Sequence, residues 1–272
     1  MRMPAACVLA LVLVSAARAA GNGIPPDAEH AKAALSSSTR HGEWVDVKLA
    51  DGKKLSTWVV YPEKKEKAGA VIVIHEIFGM TDWVRGVADQ LAKEGFIALA
   101  PDLLSGMGPN GGGTDSLGED VGKVIKSLSP EAVVARLDAV YDYAVALPSA
   151  NGNVGVVGFC WGGGASFNYA TAQPKLDAAV VYYGTPPADP ASYAKIVAPV
   201  RGHYGGDDAR VTATIPTAEA AMTKAGKSFT AKVYEGAGHG FLRQQGERSG
   251  ANLKAAEQAW PATVEFFHER LK

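Results

Sequence analysis

The 272-residue chain carries 27 basic and 28 acidic side chains, a net charge of -1, with no basic patch and no long run of one sign, so a nucleic-acid partner is not expected. With 47% of its residues hydrophobic and 20% charged, it is long and apolar enough for one large domain with a substantial core. It shows neither an internal repeat nor a second-domain boundary.

Residues 1–19 read separately from the rest. Arg2 supplies a short positive start, residues 7–14 an apolar stretch, and Ala17-Arg18-Ala19 a small-x-small pattern ahead of a cleavage point. The expectation is a removed signal peptide leading to the periplasm or the medium. The stretch is too short for a stable bilayer span, so no membrane insertion is expected of the mature chain. Cleavage leaves Cys160 as the only cysteine. No internal disulfide can then form, and an unpaired thiol in an exported chain calls for a chemical reason. Residues 20–43, Ala/Ser-rich with Pro25-Pro26 and no period, read as a loosely ordered lead-in to a domain over 44–272.

Residues 44–49 alternate as a strand does, Asp51-Gly52 is a hairpin turn signal, and residues 55–61 form a second strand. After a solvated loop at 64–67, residues 70–74 are a continuous apolar run, the pattern of a strand covered on both faces. A helix follows, with Thr81 or Asp82 near its cap, Val84, Val87, Ala88 and Leu91 on one face, and Gly95 at its end. Residues 96–100 form another buried strand, closed by Pro101-Asp102. The glycine-rich stretch 107–118 lacks a Gly-Lys-Ser/Thr ending, so it reads as a floppy surface loop over a site and not as a phosphate cradle. Ser129-Pro130 opens a helix with a stripe of Val133, Leu137, Val140, Ala144 and Leu147. Strands at 178–183 and 197–204, a helix at 216–226 and an alternating strand at 229–235 follow. Leu253, Trp260, Val264, Phe267 and Leu271 mark a closing helix that Pro261 should kink or split. This order predicts an α/β fold: a mostly parallel central sheet with helices on both faces and an antiparallel N-terminal hairpin. Ligands in such folds collect at the carboxyl ends of the strands.

The chemistry centres on Gly158-Phe159-Cys160-Trp161-Gly162, where a β-branched run (residues 153–157) ends in a sharp turn before a helical segment. This is the G-x-nucleophile-x-G elbow of α/β hydrolases, with cysteine where serine usually stands. Small neighbours let the strained turn hold the side chain clear of the sheet, and the helix N-terminus favours a thiolate. A cysteine nucleophile needs a base, and the base an orienting carboxylate. His239 follows the 229–235 strand in a loop flanked by Gly238 and Gly240, whereas His30, His41 and His268 read as surface or core residues. Asp208, after the 197–204 strand, is the preferred carboxylate, with Asp207 in reserve. Nucleophile, acid, histidine is the chain order of α/β hydrolases. Glu76, at the end of the 70–74 strand, falls beside the thiol, where a second carboxylate can hold the proton. His75-Glu76 does not extend to the H-E-x-x-H zinc pattern, because position 79 is glycine. The backbone N–H groups of Ile77 and Trp161 are the natural pair for a developing oxyanion. The Trp161 side chain either lines an apolar pocket or simply packs.

Four segments in order, His75-Glu76-Ile77-Phe78-Gly79, Ala98-Leu99-Ala100-Pro101-Asp102-Leu103, Gly158-Phe159-Cys160-Trp161-Gly162-Gly163 and Gly238-His239-Gly240-Phe241, resemble the dienelactone hydrolase family over roughly residues 44–271. The resemblance implies an α/β-hydrolase fold and a Cys160, His239, Asp208 triad. It further implies a Glu76 that pairs with the resting thiol and releases it when substrate binds. Family enzymes open a cyclic enol ester, 4-carboxymethylenebut-2-en-4-olide, by acyl transfer to cysteine and then to water, without metal or cofactor. Two arginines grip the substrate carboxylate in the family. Arg243 matches one, but Leu104-Ser105-Gly106 stands where the other should be, and Arg85 reads as structural. Phe241 and Trp161 join Arg243 as expected substrate contacts. The expectation is an exported hydrolase of a lactone or small ester, of carboxymethylenebutenolidase type, acting through a thioester acyl-enzyme, its oligomeric state left open with a monomer favoured. The alternatives are a general carboxylesterase or thioesterase on neutral substrates, and a non-catalytic exported binding protein of the same fold.

Overall fold

The computed structural model describes residues 23–272, so the expected signal peptide at 1–19 lies outside the described residues. In chain order the elements are α1 (Ala31–Ser37), β1 (Gly42–Lys48), β2 (Lys54–Val60), β3 (Ala68–Ile74), α2 (Asp82–Lys93), β4 (Ile97–Pro101), α3 (Thr114–Leu117), α4 (Val121–Ser127) and α5 (Pro130–Ala146). They continue with β5 (Ala150–Phe159), α6 (Trp161–Ala172), β6 (Ala178–Tyr182), β7 (Val200–Gly205), α7 (Ala209–Thr212), α8 (Ile215–Lys224), β8 (Phe229–Tyr234) and α9 (Ala251–Arg270).

The strands form one eight-stranded sheet in the order β1-β2-β4-β3-β5-β6-β7-β8. β1 pairs antiparallel with β2, and β2 antiparallel with β4; every other neighbouring pair is parallel. The apolar runs read from the sequence are buried on both faces because successive side chains point to opposite cores. Along β3, Ala70, Ile72 and Ile74 enter one core with residues of α5, α6 and α8, while Val71 and Val73 enter the other with α1, α2 and α9. Thr81 and Ser129 cap α2 and α5 by accepting from Val84 N–H and Ala132 N–H.

Three expectations need correction. The lead-in is ordered from residue 23 onward: Ala28 N–H donates to the Arg243 carbonyl (3.0 Å), Gln245 Nε2 donates to the Pro25 carbonyl (2.9 Å), and Ala31 is fully buried. These partners lie some 200 residues away in sequence, so no local pattern announces them. The glycine-rich stretch is folded too. The Asp102 carboxylate accepts from Leu104 N–H (3.0 Å), Thr114 N–H (2.8 Å) and Thr114 Oγ1 (2.7 Å). Beyond that tie, α4 sets Val121 and Ile125, and α3 sets Leu117, against Leu104, Ile77 and Trp161 in a third, small apolar cluster. Finally, α9 runs unbroken through Pro261, which is exposed while Trp260, Thr263 and Phe267 are buried. The N–H that proline lacks falls on the solvent side, and Arg201 Nη1 holds the Ala262 carbonyl at 2.6 Å.

Because one buried carboxylate organises the 103–128 segment, Asp102→Ala is expected to destabilise the protein by about 2–4 kcal/mol. Hydrogen exchange should accelerate first over residues 103–128, with the central strands still protected.

Candidate active site

The expected site residues all arise at or after the carboxyl ends of parallel strands: Glu76 after β3, Cys160 after β5, Asp208 after β7 and His239 after β8. Cys160 has φ 54° and ψ -116°, a left-handed conformation that a side-chain-bearing residue adopts only under compulsion. The compulsion is steric. A Cβ at Gly158 would sit 1.9 Å from the Gly162 carbonyl oxygen, and one at Gly162 would sit 2.3 Å from that of His75. Cys160 N–H is fastened to the Tyr182 carbonyl (3.0 Å).

His239 Nδ1 lies 2.5 Å from Asp208 Oδ2, and Asp208 is buried. Asp207 instead meets Arg248 Nη1 at 3.1 Å, with both side chains about half exposed, so Asp208 is the carboxylate in contact with the histidine. The Tyr183 ring stands edge-on to His239 at 5.1 Å, one residue beyond the carbonyl that holds Cys160. The sulfur and the imidazole therefore share one end of the sheet. Among the described residues, no hydrogen bond joins them.

Burial pushes the Cys160 thiol pKa up, and the Glu76 carboxylate pushes it further. The N–H groups of Trp161 and Ile77 oppose that rise, as does the Arg210 guanidinium. Glu76 is itself driven up to about 7 by burial, with Arg243 pulling the other way. Arg243 Nε approaches Glu76 Oε2 to 2.6 Å without the alignment of a hydrogen bond, and the guanidinium lies 4.8 Å over the Phe78 ring. Glu76 thus has Arg243 as its partner and makes no hydrogen bond to the thiol. Arg243, expected to grip a substrate carboxylate, is engaged by a carboxylate of the protein.

Phe241 does not line the site. It is wholly buried among Tyr182, Tyr183 and Tyr234, which corrects its expected role as a substrate contact. Trp161 is partly exposed, stacks on His75 at 5.6 Å and joins the small apolar cluster of Leu104, Val121 and Ile125. Arg85 pairs with Asp82 and packs over Trp58, the structural role expected of it. Two residues escaped sequence reasoning. Tyr183, at φ 41°, points a buried hydroxyl with no partner among the described residues into the neighbourhood of Glu76, Cys160 and Arg243. Arg210, two positions after Asp208, is an exposed cation near the sulfur. A Tyr-Tyr-Gly at a strand's carboxyl end and an Arg two residues after Asp208 were the available signals.

A cleft of about 770 Å³ opens elsewhere, lined by Trp44, Lys54, Arg85, Asp102 and Thr114 among others, and includes neither Cys160 nor His239. Among the described residues no cluster of three or more His, Cys, Asp or Glu side chains could hold a metal ion, and no helix is long and apolar enough to cross a membrane.

A mostly parallel sheet with a Gly-x-Cys-x-Gly turn between strand and helix, and an acid and a histidine on later strand ends, is the architecture of an α/β hydrolase. The sequence matches the dienelactone hydrolase family over residues 55–271, and the chain belongs to that family as a dienelactone hydrolase-like hydrolase. A relative from Saccharolobus solfataricus named "Putative carboxymethylenebutenolidase" is 31% identical over 252 residues, covering 80% of this chain and 95% of its own. One of the same name from Escherichia coli K12 is 31% identical over 214 residues, 73% of this chain and 76% of its own. The crystal structure of a "Putative Dienelactone Hydrolase" from Klebsiella pneumoniae superposes with a TM-score of 0.74 at 26% identity, covering 85% of this chain and 99% of that one.

The raised Glu76 pKa has a consequence for stability. A carboxyl that ionises less readily in the fold than in the unfolded chain favours the fold only while protonated. That contribution is complete below the ordinary value of 4.5 and disappears as pH rises through about 7. The Tm of wild type minus that of Glu76→Gln is therefore expected to fall between pH 5 and pH 8, by the equivalent of roughly 3 kcal/mol at most. Thermal melts of both proteins across that range measure it.

Proposed function

We propose that this hydrolase opens a lactone or small carboxylic ester through Cys160, His239 and Asp208. The observation that carries the reading is the 2.5 Å Asp208–His239 contact at the same sheet end as a cysteine held in an elbow. The Cys160 thiol proton passes to His239 Nε2, directly or by way of Glu76, as the sulfur attacks the carbonyl carbon, and the S–C bond forms as the carbonyl π pair moves to oxygen. The N–H groups of Ile77 and Trp161 hold that oxyanion. As it collapses, the C–O bond breaks and the leaving oxygen takes a proton from His239. Water then attacks the thioester with His239 as base, releasing the acid and returning the thiol. Asp208 holds the Nδ1 side of the ring, leaving Nε2 for these transfers.

Two observations favour a neutral acyl group over an anionic one. The Arg243 guanidinium is already paired with Glu76, and the residues that supply the oxyanion N–H groups border the apolar cluster of Leu104, Met107, Val121 and Ile125. Arg210 is the available cation for an anionic substrate and the reason such substrates belong in the test.

Cys160→Ala should lower turnover of an aryl acetate by at least about 10³-fold with Tm within a few degrees of wild type, and Asp208→Asn should lower kcat by about 10²–10⁴-fold. Wild-type turnover in Cys160→Ala would overturn the mechanism. On paired substrates, kcat/KM for the neutral ester should exceed that for an anionic dienelactone; the reverse order would make Arg210 and Arg243 a carboxylate site. We also propose export, from residues 1–19. Expressed in a secreting bacterium, the mature protein should begin at Ala20 by intact mass, and a full-length mass in every fraction would refute cleavage.

A further inference from the structure

His75 is buried, conspicuous in sequence, and assigned no task by the mechanism above. Its ring has two partners, both backbone. Nδ1 lies 2.8 Å from the Glu76 carbonyl oxygen, and Nε2 lies 3.3 Å from Leu103 N. A carbonyl only accepts and an amide N–H only donates, so Nδ1 carries the hydrogen and Nε2 is bare. Burial lowers the pKa of the ring, which keeps it in this neutral tautomer.

The Glu76 carbonyl is one half of a rigid unit. Peptide planarity keeps the Glu76 C=O and the Ile77 N–H in one plane, pointing in opposite directions, so a group that fixes the carbonyl also fixes the direction of the N–H. That N–H faces the Cys160 sulfur. The ring also stacks: His75 lies 5.6 Å from the Trp161 indole with only 16° between planes, and Trp161 supplies the second N–H. Behind both, the Ile74 and His75 carbonyl oxygens pack onto Gly162, closer than a Cβ there would permit. One neutral imidazole thus touches both halves of the oxyanion hole. Through Leu103 it also ties them to the segment that Asp102 organises.

We propose that His75 is a positioning residue for the oxyanion hole, its Nδ1–H clamping the Glu76–Ile77 peptide so that Ile77 N–H points at the developing oxyanion. The proposal rests on the acyl-transfer reading above. It makes the tautomer of a buried histidine, rather than its charge, the property that matters to the reaction.

The test is an isosteric pair. His75→Asn keeps a donor near the Nδ1 position, whereas His75→Leu has the same branched shape and none. Both lose the acceptor for Leu103 N–H, so a purely structural histidine predicts equal effects. The expected result is a kcat for His75→Leu about 10- to 100-fold below wild type with KM changed less than about 3-fold, and substantial recovery of kcat in His75→Asn. Alkylation of Cys160 by iodoacetamide develops no oxyanion, so its rate should differ less than about 3-fold between the two variants. Should His75→Leu not accumulate in soluble form, His75→Phe, which refills the ring volume, carries the same expectation. Equal kcat in the donor-bearing and donor-less variants would overturn the proposal, as would a loss of alkylation matching the loss of turnover. Both results are distinguishable from failure of the underlying reading, in which Cys160→Ala would itself remain active.

Discussion

Everything chemical in this protein depends on the close approach of two backbones at the elbow. Gly158 and Gly162 lie in van der Waals contact with neighbouring carbonyls, and only that contact lets β5 turn into α6 with Cys160 in the left-handed region. A strained residue of this kind costs on the order of 1–3 kcal/mol, which the two buried cores on either side of the sheet must outweigh. In exchange the sulfur stands beyond the sheet edge at a helix N-terminus, with N–H groups on two sides.

Around that sulfur the electrostatics are opposed rather than uniformly activating. Burial and the Glu76 carboxylate disfavour a thiolate; the Ile77 and Trp161 N–H groups and Arg210 favour it. Glu76 is held between a desolvated setting that would neutralise it and an Arg243 contact that would ionise it, and its value near 7 expresses that balance. A group poised there can change protonation with a modest change in surroundings, such as the arrival of a substrate. The unpartnered Tyr183 hydroxyl, in the same neighbourhood and on a strained backbone, belongs to the same balance. Polar groups left incompletely satisfied in a buried site are where a protein keeps its capacity to rearrange.

Much of this was legible in the chain. The largely apolar runs at 70–74, 96–100 and 153–157 fall on β3, β4 and β5, because strands covered on both faces read as short apolar stretches bounded by turn signals. The Gly-x-Cys-x-Gly spacing, and the Asp and His at the ends of later strands, are local signals of chemistry, and the structure brings Asp208 and His239 into contact. Less legible were features whose partners are remote. Pro25 meets Gln245, Thr114 meets Asp102, and Phe241 is swallowed by three tyrosines from two other segments. Composition made the first two look loose, and a place in the family motif beside His239 made the third look like a substrate contact.

What the sequence by itself determined is the order of elements and the chemical inventory at their ends, because hydrophobic period, caps and glycine spacing are properties of neighbouring residues. What only the tertiary structure decided is which inventory members meet: Asp208 rather than Asp207 at His239, and Arg243 rather than the thiol at Glu76. Partnership between side chains on different strand ends is set by sheet order and loop path, and ångström differences in separation choose among groups of identical charge.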